Sequence, residues 1–301
     1  MRMKPSDSAE GMYQSFGDRL RHRLGDGKIL PLIGVFDVFS AALAARKFDA
    51  IFCSGYGFAA SYYGLPDEGF IAWPDMLSYV ERVRAVLPHT HIVVDMDDGH
   101  GDSNLAANMA RRLERVGASA VILEDQRRPK RCGHLPGKEI LDLDEYMRRL
   151  NNVLDVRDRM LVIARTDTQD IDEALRRVET FARAGADAVL VEGIQDLSVV
   201  PQIRNVIGRD VGIAVNLIAG GKTGPVTLTE LQNLGANLVN YSTPCLFAAH
   251  AAINRALDAL LRQDGALRAN DGGVELTENN GFLRGVLLEA LGRNSDVKHL
   301  K

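Results

Sequence analysis

Three joints along the chain repeat one phrase: Val116-Gly117-Ala118-Ser119-Ala120-Val121, Ala184-Gly185-Ala186-Asp187-Ala188-Val189 and Leu234-Gly235-Ala236-Asn237-Leu238-Val239. In each, an amphipathic stretch stops at a glycine, which suits the left-handed position just past a helix end. A short apolar run follows, of the kind buried on both faces in a parallel sheet. Helix then strand, repeated, is the signature of βα units. The same alternation extends through the chain and predicts strands at Ile29–Val35, Asp49–Cys53, His91–Asp95, Ser119–Glu124, Met160–Arg165, Asp187–Glu192, Val211–Asn216 and Asn237–Tyr241. A helix is expected after each, for example Ser103–Val116, Asp172–Ala184 and Cys245–Leu261. Such a series, spread over about 240 residues, predicts an α/β protein built as a (β/α)8 barrel.

The 301 residues are read as a single domain: an N-terminal helix within 1–27, the barrel over 28–262, and a C-terminal helical extension over 263–301. Met12, Phe16, Leu20 and Leu24 recur at every fourth position, so the first helix is expected to plug or flank the barrel floor. A polar, glycine-bearing stretch from Gln263 to Asn280 leads to a last helix, Phe282–Leu291, that packs either on its own barrel or on a neighbour.

Composition serves mainly to exclude. A net charge of −4 gives no reason to expect nucleic acid or an anionic membrane as a partner. No apolar stretch reaches the roughly 20 residues a bilayer requires, and Met1-Arg2-Met3-Lys4-Pro5 has no apolar signal core. Cys53, Cys132 and Cys245, three scattered cysteines, make no disulfide framework, and a reducing cytoplasm is the expected setting.

In this fold the chemistry sits at the C-terminal ends of the strands. Those ends carry Ser54-Gly55-Tyr56-Gly57, Asp95-Met96-Asp97-Asp98-Gly99-His100, Glu124-Asp125, Arg165-Thr166-Asp167, Glu192, Asn216, and Ser242-Thr243. Carboxylates converging on one rim repel one another unless a cation sits among them. An all-oxygen donor set points to Mg2+ or Mn2+ rather than zinc. Arg165 is placed to grip an anionic substrate. Six residues past Glu124, Lys130-Arg131-Cys132-Gly133-His134 sets a thiol between two cations and an imidazole, surroundings expected to lower its pKa and fit it for proton transfer.

Other features read more plainly. Ser54-Gly55-Tyr56-Gly57-Phe58-Ala59-Ala60 has glycine spacing like a dinucleotide fingerprint, but no acidic residue ends the next strand, so a loop offering backbone N–H groups is expected. Gly220-Gly221-Lys222-Thr223 ends like a phosphate loop, with Asn216 where its first glycine belongs. Asp97-Asp98-Gly99 by itself reads as a solvated turn. Cys53 and Cys245 read as core or near-core thiols, His100 as a turn residue, His250 as a helix residue and Asp102 as a helix start.

Taken together, Ser54-Gly55-Tyr56, Gly64-Leu65-Pro66-Asp67, Asp95-x-Asp97, Glu124-Asp125-Gln126 through Lys130-Arg131-Cys132-Gly133-His134, Ala164-Arg165-Thr166-Asp167, Glu192, and Asn216 with Gly220-Gly221-Lys222-Thr223 resemble the isocitrate lyase and phosphoenolpyruvate mutase superfamily. The likeness runs from about Gly34 to about Ala259, and the cysteine run with its upstream acidic pair is its most specific part. The resemblance implies that Asp95 ligates Mg2+ directly and that Asp97, Glu124 and Asp67 hold its waters. It implies that Ser54, Gly55 and Tyr56 receive the 2-oxo-acid end of the substrate, with Arg165 over the reacting oxygen. Cys132 is implied as general acid/base on a mobile loop, with His134 beside it, and Glu192 and Asn216 as further polar contacts. It also implies a homotetramer that exchanges its last helix between subunits.

Within that superfamily, phosphoryl mutases and oxaloacetate decarboxylases generally lack the loop cysteine. Members that cleave a C–C bond in a substituted malate or citrate keep it, as do a carboxyphosphonoenolpyruvate mutase branch and an oxaloacetate hydrolase branch. Leu135 stands where methylisocitrate lyases carry an arginine, and Ala219 where most relatives have a glutamate. Both argue against a tricarboxylate. The expected activity is therefore Mg2+-dependent retro-aldol cleavage of a 2-hydroxy dicarboxylate or substituted malate. The alternatives are an oxaloacetate hydrolase or decarboxylase, a phosphonate-pathway mutase, and a metabolite-binding barrel without turnover.

Overall fold

The computed structural model describes residues 15–266 and 273–293. Eight parallel strands, β1 Leu30–Val35, β2 Ala50–Cys53, β3 His91–Asp95, β4 Ala120–Glu124, β5 Leu161–Thr166, β6 Ala188–Val191, β7 Gly212–Leu217 and β8 Leu238–Tyr241, pair in sequence order, and β1 closes on β8. The register is continuous around the ring: Leu32 lies opposite Ala50 on one side and Asn240 on the other. The predicted strands are all present. The main shift bearing on the site is that Glu192 falls one residue past β6 and Thr166 extends β5.

The helices are α1 Phe16–Gly25, α2 Val38–Ala45, α3 Gly55–Phe58, α4 Trp73–Val86, α5 Ser103–Arg115, α6 Leu143–Val156, α7 Ile171–Arg183, α8 Val199–Ile207, α9 Leu228–Leu234, α10 Pro244–Arg262 and α11 Leu276–Ala290. The joint glycines behave as the repeat predicts: Gly117, Gly185 and Gly235 take φ of 98°, 101° and 101°, open to glycine at no steric cost. Asp102 caps α5 by accepting the amides of Asn104 and Leu105.

Side chains alternate along each strand, and the two sets form separate cores. Leu30, Leu32, Ala50, Phe52, Val93, Ala120, Ile122, Leu161, Ile163, Ala188, Leu190, Ala214 and Leu238 fill the inside of the barrel. Ile33, Ile51, Val94, Val121, Val162, Val189, Val215 and Val239 pack outward under the helices, and Cys53 lies in this outer layer. Leu20 of α1 is fully buried with the inner set and Leu24 packs beside it, so α1 stoppers the floor. Arg84 secures that end, its guanidinium 3.8 Å from the centre of the Phe16 ring while it donates to the Gly117 carbonyl. Met12, the first residue of the predicted stripe, lies outside the described residues.

Two stretches differ from the simple repeat. After β2 the chain turns directly into α3 and a short π-helical turn, Ala59–Tyr63, instead of an open loop, because Ser54 caps α3 through the Gly57 amide. After β4 the backbone makes an excursion over 125–142 before α6 begins. The last two helices carry apolar residues that their own barrel leaves uncovered: α10 has no buried residue, and Ile253, Leu257, Leu261, Leu283 and Leu287 are exposed. The final helix starts at Leu276, earlier than its apolar pattern predicts. No helix among the described residues is long and apolar enough to cross a membrane.

If α1 is the barrel's stopper, Leu20→Ala leaves a cavity under the inner core and costs about 2–5 kcal/mol. Denaturant unfolding reads this directly, and an unchanged midpoint would place the floor elsewhere.

Candidate active site

Seven of the eight inward rows of apolar residues end, at the C-terminal mouth, in a polar one; in β1 Leu32 is followed two residues on by Gly34. Phe52 is followed two residues on by Ser54, Val93 by Asp95, Ile122 by Glu124, Ile163 by Arg165, Leu190 by Glu192, Ala214 by Asn216, and Leu238 by Asn240. Strand geometry alone therefore aims these side chains into one cavity. Its lining includes six of these, all but Glu124, which lies 3.2 Å from Arg165, together with Tyr56, Asp67, Cys132, Gly133, His134 and Ser242, over a floor of Phe52, Ile122 and Leu190.

The carboxylates meet as predicted, but the charge among them is not simply a missing ion. The Lys130 ammonium is buried between Asp67 Oδ1, at 2.9 Å, and Asp97, with Glu124 Oε1 4.0 Å away. Burial opposes that charge, yet Asp67, Asp97 and Glu124 hold the Lys130 pKa well above its ordinary value. Lys130 is thus a counter-ion of the rim, not a neighbour of the thiol. Asp95 accepts the amides of Gly55 and Asp97 at 3.3 and 3.1 Å. Burial, reinforced by Asp97, raises its pKa to about 6 despite Lys130 and Arg165. Burial likewise pushes Glu124 well above the carboxylate range. Glu124 Oε1 is buried without a hydrogen-bonded partner, and Asp67 Oδ1 meets only the Lys130 ammonium. The rim is short of positive charge. Among the described residues no three acidic, histidine or cysteine side chains form a ready chelating cluster.

Arg165 crosses the mouth. Its guanidinium donates to Asp167 at 2.8 and 3.0 Å and lies 3.2 Å from Glu124 and 3.4 Å from Glu192. Burial works to raise Glu192, but Arg165 and His134 hold it down at about 2, a fixed anion. Asn216 donates to Glu192 at 2.8 Å and accepts from Asn240 and Ser242. His134 is held on both nitrogens. Nδ1 accepts the Lys222 amide at 2.9 Å, which leaves the ring proton on Nε2, 2.8 Å from Glu192 Oε1.

Cys132 rides on the 125–142 excursion, whose neck is zipped by the Arg127 amide to the Glu139 carbonyl and the Leu141 amide to the Asp125 carbonyl. Its tip folds over the cavity. Gly133 is required there, since a Cβ would lie 2.3 Å from Glu192 Cγ. The expectation of a lowered thiol pKa is corrected: burial raises it, against the His134 amide and Arg165. Lys130 is turned to the rim and Arg131 is exposed, so neither flanking cation serves the sulfur. Cys132 is held as a protonated thiol.

Several residues of the site carried no readable signal. Asp97 and Asp98 are buried, not a solvated turn; Asp98 pairs with Arg128 at 2.8 Å and Arg149 at 3.3 Å. His100 finds a partner in Arg128 Nη2, 3.4 Å away, while His250 is an exposed residue of α10. Asp125 pairs with Arg177 at 2.9 Å behind the mouth. Only Asn240 was recoverable, as the inward position of β8.

A stoppered barrel thus gathers acidic side chains, an arginine clamp and a thiol on a covering loop at one mouth. The chain belongs to the phosphoenolpyruvate phosphomutase family, which matches residues 20–261, and with it to the PEP mutase and isocitrate lyase superfamily. It is 30% identical over 273 residues to 2,3-dimethylmalate lyase of Eubacterium barkeri, covering 88% of this chain and 93% of that one. It is 31% identical over 258 residues to 2-methylisocitrate lyase of Shewanella oneidensis, covering 83% and 87%. The solved structure of an oxaloacetate acetylhydrolase with 3,3-difluorooxalacetate superimposes with a TM-score of 0.84 at 27% identity, over 93% of this chain and 98% of that one.

A raised thiol pKa has a direct signature. The acid form persists to higher pH, so alkylation of Cys132 by iodoacetamide should keep accelerating as pH passes the ordinary thiol value of 9.0. Peptide mass spectrometry follows the site, and a plateau below that pH would contradict a protonated resting thiol.

Proposed function

We propose that the chain is a divalent-metal-dependent carbon–carbon lyase that cleaves a 2-hydroxy dicarboxylate, a substituted malate, into a 2-oxo acid and a carboxylate. The observation that carries this reading is that Cys132, Asp95 and Arg165 line one cavity. The 2-hydroxy-carboxylate end binds at Ser54, Gly55 and Tyr56 under Arg165, with Asn216 and Glu192 fixing the far wall. The hydroxyl proton leaves to solvent and the C2–C3 bond breaks. C2 becomes the carbonyl, and the electron pair goes to C3 as an enolate-like carboxylate. Cys132 gives its proton to C3, and the resulting thiolate is re-protonated from solvent, so one proton leaves and one returns per turnover. Because both nitrogens of His134 are engaged elsewhere, His134 shapes the loop and leaves the thiol as the acid.

The rim fits a hard divalent ion. Its donors are all oxygens, Glu124 Oε1 is buried without a hydrogen-bonded partner, and burial pushes Asp95 and Glu124 up. Asp95, with Asp97, Glu124 and Asp67, would hold Mg2+, or Mn2+ in its place. When bound, the ion supplies positive charge for oxygen as it becomes anionic. Arg165 supplies the same stabilisation from the protein side, fixed in advance by Asp167.

The choice of a substituted malate rests on a cleft of about 300 Å³ opening beside Cys132, lined in part by Leu135, Ile218, Ala219, Thr243 and Phe247. Its one cation, Lys222, has its ammonium 2.9 Å from Gln169. An uncharged substituent suits that wall; a third carboxylate does not. Oxaloacetate and phosphonopyruvate have nothing to place there. The exposed apolar residues of α10 and α11 support a homo-oligomer, a tetramer with exchanged C-terminal helices.

The test is incubation with Mg2+ and, separately, alkylmalates, methylisocitrate, oxaloacetate and phosphonopyruvate. A 2-oxo acid should appear from an alkylmalate, with methylisocitrate a poor substrate. Oxalate from oxaloacetate or a shifted phosphorus resonance would assign the hydrolase or mutase instead. Cys132→Ser should lose on the order of 10² to 10⁴ in rate while still binding the product. EDTA should abolish turnover and Mg2+ restore it; activity that survives exhaustive chelation removes the metal from the proposal.

A further inference from the structure

The loop that carries Cys132 is fastened over the mouth by polar contacts. Leu135 at its tip is half exposed, and no strand or helix lies between the Gln126–Ile140 bridge and the tip. A segment held this way opens at low cost unless something specific keeps it shut. Three of its ties belong to groups already described: Lys130 on the acidic rim, His134 on Glu192, and Gln126, which exchanges hydrogen bonds with the Arg131 backbone, both at 2.9 Å. The fourth is different. The Lys138 side chain, only 4% exposed, donates to the Gly133 carbonyl at 2.5 Å and to Asp167 Oδ1 at 2.7 Å.

Both partners matter. Gly133 is the residue next to the thiol, and its carbonyl is the acceptor that Lys138 reaches across the loop. Asp167 sits at the end of β5, on the rigid barrel, and is the carboxylate that takes two N–H groups from Arg165. One ammonium therefore joins the backbone beside the acid to the anion that aims the clamp. We infer that Lys138 is a positioning residue that latches the Cys132 loop shut by tying Gly133 to Asp167, so that thiol and Arg165 are brought into place by one closure. The latch rests on the geometry of the loop; only its effect on turnover rests on the lyase reading.

The test needs no substrate. Wild type, Lys138→Met and Lys138→Arg are treated with iodoacetamide, and modification of Cys132 and Cys245 is followed by peptide mass spectrometry. Loss of the latch should accelerate Cys132 modification by about tenfold to a hundredfold, the factor one charge-assisted hydrogen bond is worth in an opening equilibrium. Removing a nearby cation would by itself disfavour the thiolate and slow the reaction, so acceleration reports access. Cys245, at the start of α10, should keep its wild-type rate, and Lys138→Arg should restore slow Cys132 modification. If Lys138→Met fails to fold, Lys138→Gln carries the same comparison. Unchanged Cys132 rates, a parallel rise at Cys245 with a lower melting temperature, or failure of both variants to fold would overturn the latch and make Lys138 a structural residue.

Discussion

Alternation along eight parallel strands sends every second residue into the barrel, and the barrel interior has only two ends. At the floor, α1 closes it with Leu20. At the other end the inward rows run out of apolar residues at nearly the same height, so Asp95, Arg165, Glu192, Asn216 and Asn240 arrive together in one cavity, with Glu124 3.2 Å from Arg165. A shift of one residue in any of these strands would turn its polar end outward and an apolar residue inward. The register that closes the sheet is thus also what assembles the site, and the chemistry inherits its precision from backbone pairing rather than from the loops.

Crowding charge into a dry mouth is costly unless each anion finds a partner. The protein answers unevenly. Asp125 has Arg177, Asp98 has Arg128 and Arg149, and Asp167 has Arg165 and Lys138. The innermost carboxylates do not balance: Lys130 covers Asp67 and Asp97, while Asp95 and Glu124 are left raised by burial. Structural anions are neutralised from within the chain, and so is Glu192 at the cavity, whereas Asp95 and Glu124 are left wanting. That division separates scaffold from working surface on electrostatic grounds.

The barrel was legible because its signal is periodic and repeated. Glycine-bounded joints recur, and an apolar run between two of them fits a buried strand in each case. The mouth residues were legible for the same reason, being the next inward position after the last apolar one. The state of the thiol was not. Lys130 and Arg131 flank Cys132 in sequence, yet one side chain goes to the carboxylates and the other to solvent, so adjacency along the chain misjudged the field at the sulfur. The partners of Asp98 were equally unreadable, since Arg128 and Arg149 come from later segments and nothing local marks them. The Ser54–Gly57 segment is expected as a loop offering backbone N–H groups because no acidic residue completes a dinucleotide fingerprint; Ser54 instead caps a short helix.

The Met96-Asp97-Asp98-Gly99-His100 segment past β3 shows how a turn can bury a charge. Asp97 and His100 take φ of 49° and 61°, a region that Asp and His tolerate better than most residues, and Gly99 and Gly101 share it. That winding buries Asp98 and turns it to Arg149 of α6 and to Arg128 at the neck of the loop, while Arg128 also donates to the Gly69 carbonyl. The acidic rim, the loop bearing Asp67 and the neck of the Cys132 excursion are therefore tied at one buried anion. A change at Asp98 would reach all three, although Asp98 touches none of the cavity itself. Asp98 and His100 contact Arg128, and the three form one joint that holds the wall from which the acidic rim and the thiol loop both hang.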